Sequence, residues 1–406
     1  MHVLFLAPET GPYNLRFVDA LKRAGARVTG VGHRLEARLA PELRRLLDSY
    51  VAAKSLVDEK ELVRIAREID GRSRVERVET IDEPAIVPAA RVREALGVPG
   101  LTVAQATLCR DKAAMKDAWR AAGIPCAASA AAADRDAAFA FAEREGYPLV
   151  VKPVAGFGTL DTFRVETKAE LEKALERLAP SPKRRIVLEE FVEGHEGFYD
   201  TITVGGTVAH AFVGHYHPGC LEALASPAIR PRIGCTNRVA APTYGELHAT
   251  AARVIEALGL RDTATHMEWF FGPKGLKVSE IGARPAGERI WEMHAVGNEL
   301  DIYLAWAEAV LRSRATGEPT RRFATGSVQV RPDRAGRYAG HDGLDDVLRR
   351  FGSAIFDRSI PRSGAATQAL DRGWHAGTWF RLKDTNYDRL MERLAWIGEH
   401  VKIRLR

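Results

Sequence analysis

The sequence predicts a mixed α/β and α+β protein in three units, with bounds near 1–105, 106–320 and 321–406. Three observations lead there. At the N-terminus, short apolar runs alternate with segments of helical period, which is the order of a parallel sheet with crossover helices. From about residue 108, strands and helices alternate over short connections and include two strand pairs, the second turning at Gly272, Pro273, Lys274 and Gly275. After about Thr325 a short set of strands and helices closes the chain as a small α+β unit. The 406 residues, 46% of them apolar, suffice for two to four domain cores.

In the first unit, His2 to Leu6 reads as a strand, Asn14 to Ala24 as a helix and Ala26 to Val31 as a second strand. Amphipathic segments at Glu59 to Ile69 and Ala85 to Leu96 extend the pattern, and Gly97, Pro99 and Gly100 then interrupt the chain. The layout is Rossmann-like, but no G-x-G-x-x-G follows the first strand, so a dinucleotide fingerprint is absent.

The second unit opens with a helix from Arg110 to Ala122, stopped by Gly123, Ile124 and Pro125. The alanine-rich run AASAAAADRDAAFAFAERE predicts another helix, since alanine has the best helix propensity and Phe139, Phe141 and Ala142 supply an apolar side. Strands at Leu149 to Lys152 and Phe163 to Val165, a helix at Lys168 to Leu178 and a strand at Ile186 to Glu190 follow. Tyr199 to Phe212 and His266 to Ile281 read as strand pairs, with the helix Glu246 to Leu258 between them. In the last unit, SVQV, Ala354 to Phe356 and Thr378 to Leu382 read as strands. Leu344 to Arg350 and Tyr387 to Ile397 read as helices, the latter stopped at Gly398. There is no internal repeat.

Composition excludes several classes. Fifty-nine basic and 53 acidic residues give a net charge of +6 without a concentrated basic stripe, so nucleic acid is not an expected partner. No apolar run approaches the roughly 20 residues of a membrane helix, and the first residues are too short and unflanked for a signal peptide. Four scattered cysteines with no CxxC pair fit a reducing compartment, and a cytoplasmic location is expected.

Several residue groups suggest chemistry. Lys152 closes the apolar strand LVVK and precedes Gly156, Phe157, Gly158 and Thr159, so a fixed positive charge stands beside backbone N–H groups that oxygens can approach without Cβ obstruction. A tight connection uses the same residues. Lys112 stands at the start of a helix, where unpaired N–H groups also favour anions; a solvated lysine looks the same in sequence.

LEEFVEGHE places Glu189 and Glu190 at a strand end, then the apolar pair Phe191 and Val192, then Glu196. An adenine needs an extended backbone edge and apolar walls, and a ribose needs a carboxylate. Glu268 and Glu280 lie on two strands joined by FFGPKG, and facing carboxylates there can hold Mg²⁺ in an oxygen-rich shell. Arg284, four residues beyond Glu280, offers a planar charged fork for a carboxylate or phosphate. A P-loop, HExxH and GxSxG are all absent.

Taken in order, RDKAAMK, VVKPVAGFGT, EEFVEGHE, HMEW and EIGARPAG resemble the nucleotide site of the ATP-grasp superfamily, over residues of about 108 to 310. The preceding domain resembles the usual N-terminal domain of such enzymes. The last eighty residues are similar to the C-terminal unit of the biotin carboxylase-like branch.

The resemblance implies a central ATP-grasp fold with ATP and one or two Mg²⁺, Mn²⁺ being an expected substitute. It assigns Lys112 and Lys152 to the phosphates, Gly156, Phe157, Gly158 and Thr159 to a covering loop, and Glu189 and Glu190 with the Phe191 and Val192 backbone to adenine. Glu196 would hold the ribose, Glu268 one Mg²⁺, and Glu280 would bridge two. Arg284, with Lys152, would stabilise the reacting centre. The usual second metal strand reads Glu-x-Asn, whereas here it reads Glu280, Ile281, Gly282, so a second Mg²⁺ must lean on water, substrate or another residue.

The reaction expected on this resemblance is ADP-forming ligation of a small carboxylate to an amine through an acyl phosphate. His215 and Arg230 are candidate contacts for an anionic substrate, and Arg284 is a third; each of the first two is equally readable as structural. Carboxylation through carboxyphosphate and a noncatalytic nucleotide-binding module are the alternatives, and a homodimer is a further expectation from the resemblance.

Overall fold

The computed structural model describes residues 1–11, 13–156, 161–367 and 377–406. Phe157, Gly158 and Thr159 lie outside them. The N-terminal sheet is parallel, in the order Ser49–Ala52, Arg27–Gly32, His2–Leu6 and Arg77–Glu79. The run VLFL is apolar on successive residues because both faces are covered. Val3 and Phe5 pack towards Phe17, Val18 and Leu21 of the helix Asn14–Arg23, while Leu4 and Leu6 pack towards Leu62 and Ile65 of Glu59–Arg72 and towards Ala89 and Val92 of Ile86–Leu96.

Residues 129–190 form a small antiparallel sheet, ordered Ser129–Ala132, Ile186–Glu190, Leu149–Pro153 and Phe163–Val165, backed by the helices Arg135–Glu145 and Lys168–Leu178. The alanine-rich run thus begins as a strand, and only its second half is the expected helix. Asp134 fixes the start by accepting a hydrogen bond from the Ala137 N–H at 2.8 Å, and pairing with Ile186–Glu190 overrides alanine's helical preference before it.

The largest sheet has eight strands in the order Gly275–Gly282, Thr263–Gly272, His195–Val204, Thr207–His217, Arg232–Cys235, Ala324–Val330, Thr378–Asp384 and Ile355–Ser359. Three of these strands come from beyond residue 321, so the sheet continues across that expected boundary.

Strand alternation sorts its side chains between two faces. Phe198 pairs across the ladder with Glu268, and Glu268 with Glu280, so these three share one face with Glu196 and Asp200. His195, Tyr199 and His215 take the other. Gly214, opposite Phe198, is required by packing, since a Cβ there would come within 2.0 Å of the Phe198 ring.

The closing helix runs Tyr387–His400, through the glycine expected to stop it. Gly398 serves close approach instead, a Cβ there lying 3.0 Å from Arg230 Cβ and 3.4 Å from Val328. Among the described residues no helix is long and apolar enough to cross a membrane.

Candidate active site

Two helical turns bring the first cations in. Asp111 caps the helix Lys112–Ala121, accepting from the N–H groups of Ala113 and Ala114, each at 3.0 Å, and its carboxylate pairs with Arg185 at 2.7 Å. Lys112 thereby reaches Glu280 at 2.9 Å and donates to the Gly156 carbonyl at 2.9 Å. One turn on, the side chain of Lys116 is completely buried; it stands 3.2 Å from Glu189 and donates to the Ser279 carbonyl at 2.7 Å.

Lys152, from the strand Leu149–Pro153, lies 3.2 Å from the other oxygen of Glu189. Three lysines from two elements therefore converge on Glu189 and Glu280. Burying an ammonium costs several kcal/mol unless it is paired, roughly the effective penalty per ion after relaxation, which explains why each lysine has an acid.

Electrostatics follow the geometry. Burial works against ionisation of Glu280, but Lys112 and Lys152 outweigh it and hold the carboxyl down at about 2. Burial likewise opposes charge on Glu189, and Lys116 and Lys152 overcome it, lowering its pKa. Burial lowers the pKa of Lys116 in spite of Glu189, whereas Lys152, facing both Glu189 and Glu280, is raised.

A second acidic group adjoins this one. The ligand atoms of Glu196, Cys220 and Glu268 lie within 4.8 Å of one another, and the Cys220 N–H donates to Glu196 at 2.6 Å. Burial and then the Glu268 charge push Glu196 up to about 7. Glu196 and Glu268, forced together in this way, suit a hard cation that removes their repulsion, and Glu280, opposite Glu268 on the ladder, is an oxygen donor of the same kind, so these carboxylates fit Mg²⁺ by donor chemistry.

His266 stands 3.7 Å from Glu268 and 2.6 Å from Asp200, and His294 meets the other oxygen of Asp200 at 2.7 Å. Burial opposes the charge on His266, but Asp200 dominates and raises it to about 10.

The N-terminal domain contributes a carboxylate. Glu83, at the C-terminal end of the parallel sheet, is shared by Arg284 and Arg110, and Arg284 also donates to the Pro285 carbonyl at 2.8 Å. Burial lowers the Arg284 pKa less than Glu83, Glu280 and Glu268 raise it.

The remaining expected residues are distributed differently. Glu190 pairs with Lys274 at 2.8 Å and with Lys277, and accepts from the Ala128 N–H at 3.2 Å, so in this structure it ties the strand end to the hairpin at 272–275. Phe191 lies under Arg164, 4.1 Å from the guanidinium, and its N–H donates to Pro148 at 3.2 Å; Val192 is half-buried.

His215 and Arg230, the expected substrate contacts, do not join this cluster. His215 faces the far side of the sheet, 2.8 Å from both His195 and the Tyr244 hydroxyl, because it is out of phase with Glu196 and Glu268. Arg230 is spent on the carbonyls of Pro227 and Arg331, at 2.6 and 3.2 Å.

Lys116, Glu83, Asp200 and His266 escaped sequence reasoning. The i, i+4 spacing of Lys116 from Lys112 was the available signal, since it puts both on one helix face. Glu83 carries none, being about 200 residues from its partner Arg284.

A small sheet and a large one bringing lysines and carboxylates together beside a parallel-sheet domain are the arrangement of the ATP-grasp fold. The family of the carbamoyl-phosphate synthase L chain ATP binding domain matches residues 111–198.

Over 217 residues the chain is 26% identical to the L-arginine-specific L-amino acid ligase of Bacillus subtilis, covering 52% of each chain. It is 29% identical to the alanine–anticapsin ligase of Bacillus subtilis (strain 168), over 47% of this chain and 44% of that one. The chain thus spans about half the length of these curated relatives. Among solved structures, the L-amino acid ligase of Bacillus licheniformis superposes with a TM-score of 0.79 at 20% identity, over 100% of this chain and 98% of that one.

Proposed function

We propose that this protein is an ADP-forming ligase that joins a small carboxylate to an amine. The observation that carries the reading is the convergence of Lys112, Lys116 and Lys152 on Glu189 and Glu280, with Glu268 across the ladder and Arg284 beside it. Three cations around two strand-borne carboxylates match a polyphosphate with its divalent ion, and the similarity to amino-acid ligases supports an amino acid as the carboxylate.

A carboxylate oxygen attacks the γ-phosphorus, the bond to the ADP oxygen breaks, and an acyl phosphate results. The amine nitrogen then attacks the acyl carbon and loses a proton as phosphate departs. Glu268 and Glu280 would hold Mg²⁺, which would supply charge neutralisation at the phosphate oxygens. Lys112 and Lys152 hold the phosphates, and Arg284, fixed by Glu83, faces the charge that develops at the acyl centre.

Glu189 and Glu190 with the Phe191 and Val192 backbone belong to the adenine side, and Glu196 to the ribose side or, through Glu268, to the metal. Gly156, Phe157, Gly158 and Thr159 remain assigned to phosphate cover. The cytoplasm, in keeping with four free cysteines, and a homodimer complete the proposal.

The test is ADP release from MgATP against a panel of amino acids and other carboxylates, with and without amines, with bicarbonate as a separate arm. Release that needs both a carboxylate and an amine, with a product of the condensed mass, is expected. Release dependent on bicarbonate alone would replace this reading with carboxylation, and no release with any pair would leave a nucleotide-binding module.

A further inference from the structure

A cavity of about 1330 Å³ lies on the far face of the eight-stranded sheet from the lysine–carboxylate cluster, between the helix Gly245–Ala257 and the strands His195–Val204 and Thr207–His217. It is larger than the roughly 300–1,000 Å³ of most small-molecule sites, so a ligand would fill only part of it. Val208, Ala211, Val239, Ile255 and Leu260 give it apolar walls.

Arg321 also lines it. Its guanidinium donates to Asn298 Oδ1 at 3.0 Å and to the Ala211 carbonyl at 2.7 Å, and no carboxylate pairs with it among the described residues. Asn237 Oδ1, on the same lining, is buried without a hydrogen-bond partner. The other charged or titratable groups there are Arg238, which is paired with Asp388, together with Arg261, Glu256, and His248, which meets the Tyr199 hydroxyl at 2.6 Å. An unneutralised cation beside apolar walls calls for a ligand with an anion and an apolar body.

Arg321 is also wired through the sheet. It bonds Asn298, whose amide donates to the His294 carbonyl at 2.8 Å; His294 meets Asp200 at 2.7 Å, Asp200 meets His266 at 2.6 Å, and His266 stands 3.7 Å from Glu268. These contacts link Arg321 to Glu268 through the His294 main chain and side chain, which gives a ligand on Arg321 a contiguous route to Glu268.

We propose that this cavity is a regulatory site for a carboxylate with an apolar body, its carboxylate on Arg321, and that occupancy is felt at Glu268. The second clause rests on Glu268 being a metal ligand; the first does not.

The probe is N-acetylphenylalanine, with its neutral amide as control. At tenfold excess over Kd the carboxylate is expected to raise Tm by about 2 °C, and the amide by much less. Arg321→Met should abolish the shift. Ala252→Trp, which fills the exposed mouth and leaves Arg321 untouched, should do the same if the first variant folds poorly.

With ATP present, the probe should change the Mn²⁺ dissociation constant, read by electron paramagnetic resonance, at least threefold. Equal shifts from carboxylate and amide, or a shift that survives Ala252→Trp, would overturn the site. Binding with unchanged Mn²⁺ affinity would overturn the coupling. Neither readout requires turnover, so a failed ligase assay is a separate result.

Discussion

Lys116 and Lys152 stand 3.2 Å from opposite oxygens of one carboxylate, that of Glu189. The carboxylate is shared across two elements, and the two lysines depend on it unequally: Lys152 also faces Glu280, whereas Lys116 is the more enclosed. Removing the acid leaves two buried cations uncompensated. Glu189→Gln is therefore expected to cost about 3–5 kcal/mol in urea denaturation, the range for breaking a buried pair. Lys116→Met should cost distinctly less, since Glu189 keeps Lys152; equal losses would contradict the shared-acid account.

Lys152→Ala and Glu280→Ala address the chemistry. The first removes a positive charge from the place where phosphate oxygens are proposed to sit and the second a carboxylate proposed to hold their Mg²⁺, so each should lower ADP formation by about 10²–10³, as loss of a single transition-state contact does elsewhere. Far-ultraviolet circular dichroism should stay unchanged. A variant retaining more than a tenth of the wild-type rate would remove that residue from the site.

Asp200 reaches Glu268, the proposed metal ligand, through His266. Charge on His266 is sustained by Asp200, with its pKa raised to about 10 from 6.5. A raised pKa of this kind contributes stability in full below pH 6.5 and loses it as pH climbs through 10. Asp200→Asn should bring that loss to lower pH in a Tm–pH series. It should also weaken Mn²⁺ binding about 10–100-fold, the usual consequence of losing a residue that orients a metal ligand. An unchanged Mn²⁺ affinity would make the pair purely structural.

Glu190 predicts the opposite pH sense. Burial opposes its ionisation, yet Lys274, Lys277 and the Ala128 N–H draw its carboxyl down from 4.5 to about 2. Its stabilising effect is present above pH 4.5 and fades as pH falls through 2. The Tm gap between wild type and Glu190→Gln should be constant near neutrality and close across that acid window. A gap that persists at pH 2 would mean the charge is not its source.

Much of this architecture is legible in the sequence because local rules apply where the site lies. VLFL and LVVK are apolar on consecutive residues, as strands covered on both faces must be, and the lysines and glutamates sit at strand ends or a helix start. The legible part stops where tertiary pairing decides. Ser129–Ala132 looks helical until Ile186–Glu190 pairs with it, and Gly398 looks like a stop until Arg230 and Val328 need its missing side chain. His215 has the right residue type and neighbourhood, but its place one residue out of phase with Glu196's row sends it to the far face. Glu83 and Asp200 meet partners 201 and 66 residues away, and no local pattern records such contacts.

The eight-stranded sheet has a practical consequence for anyone recombining this protein with its relatives. The segment after residue 321 supplies Ala324–Val330, Ile355–Ser359 and Thr378–Asp384, and the first of these is hydrogen-bonded to Arg232–Cys235. A chimera joined at that point does not exchange a terminal module. It replaces three adjacent staves, and the graft survives only if the incoming strands match the pitch and spacing of those they replace. Fragments ending near 320 would leave Arg232–Cys235 as a raw edge open to pairing with a second chain, so insolubility of such a truncation would report a torn ladder rather than a missing active-site group.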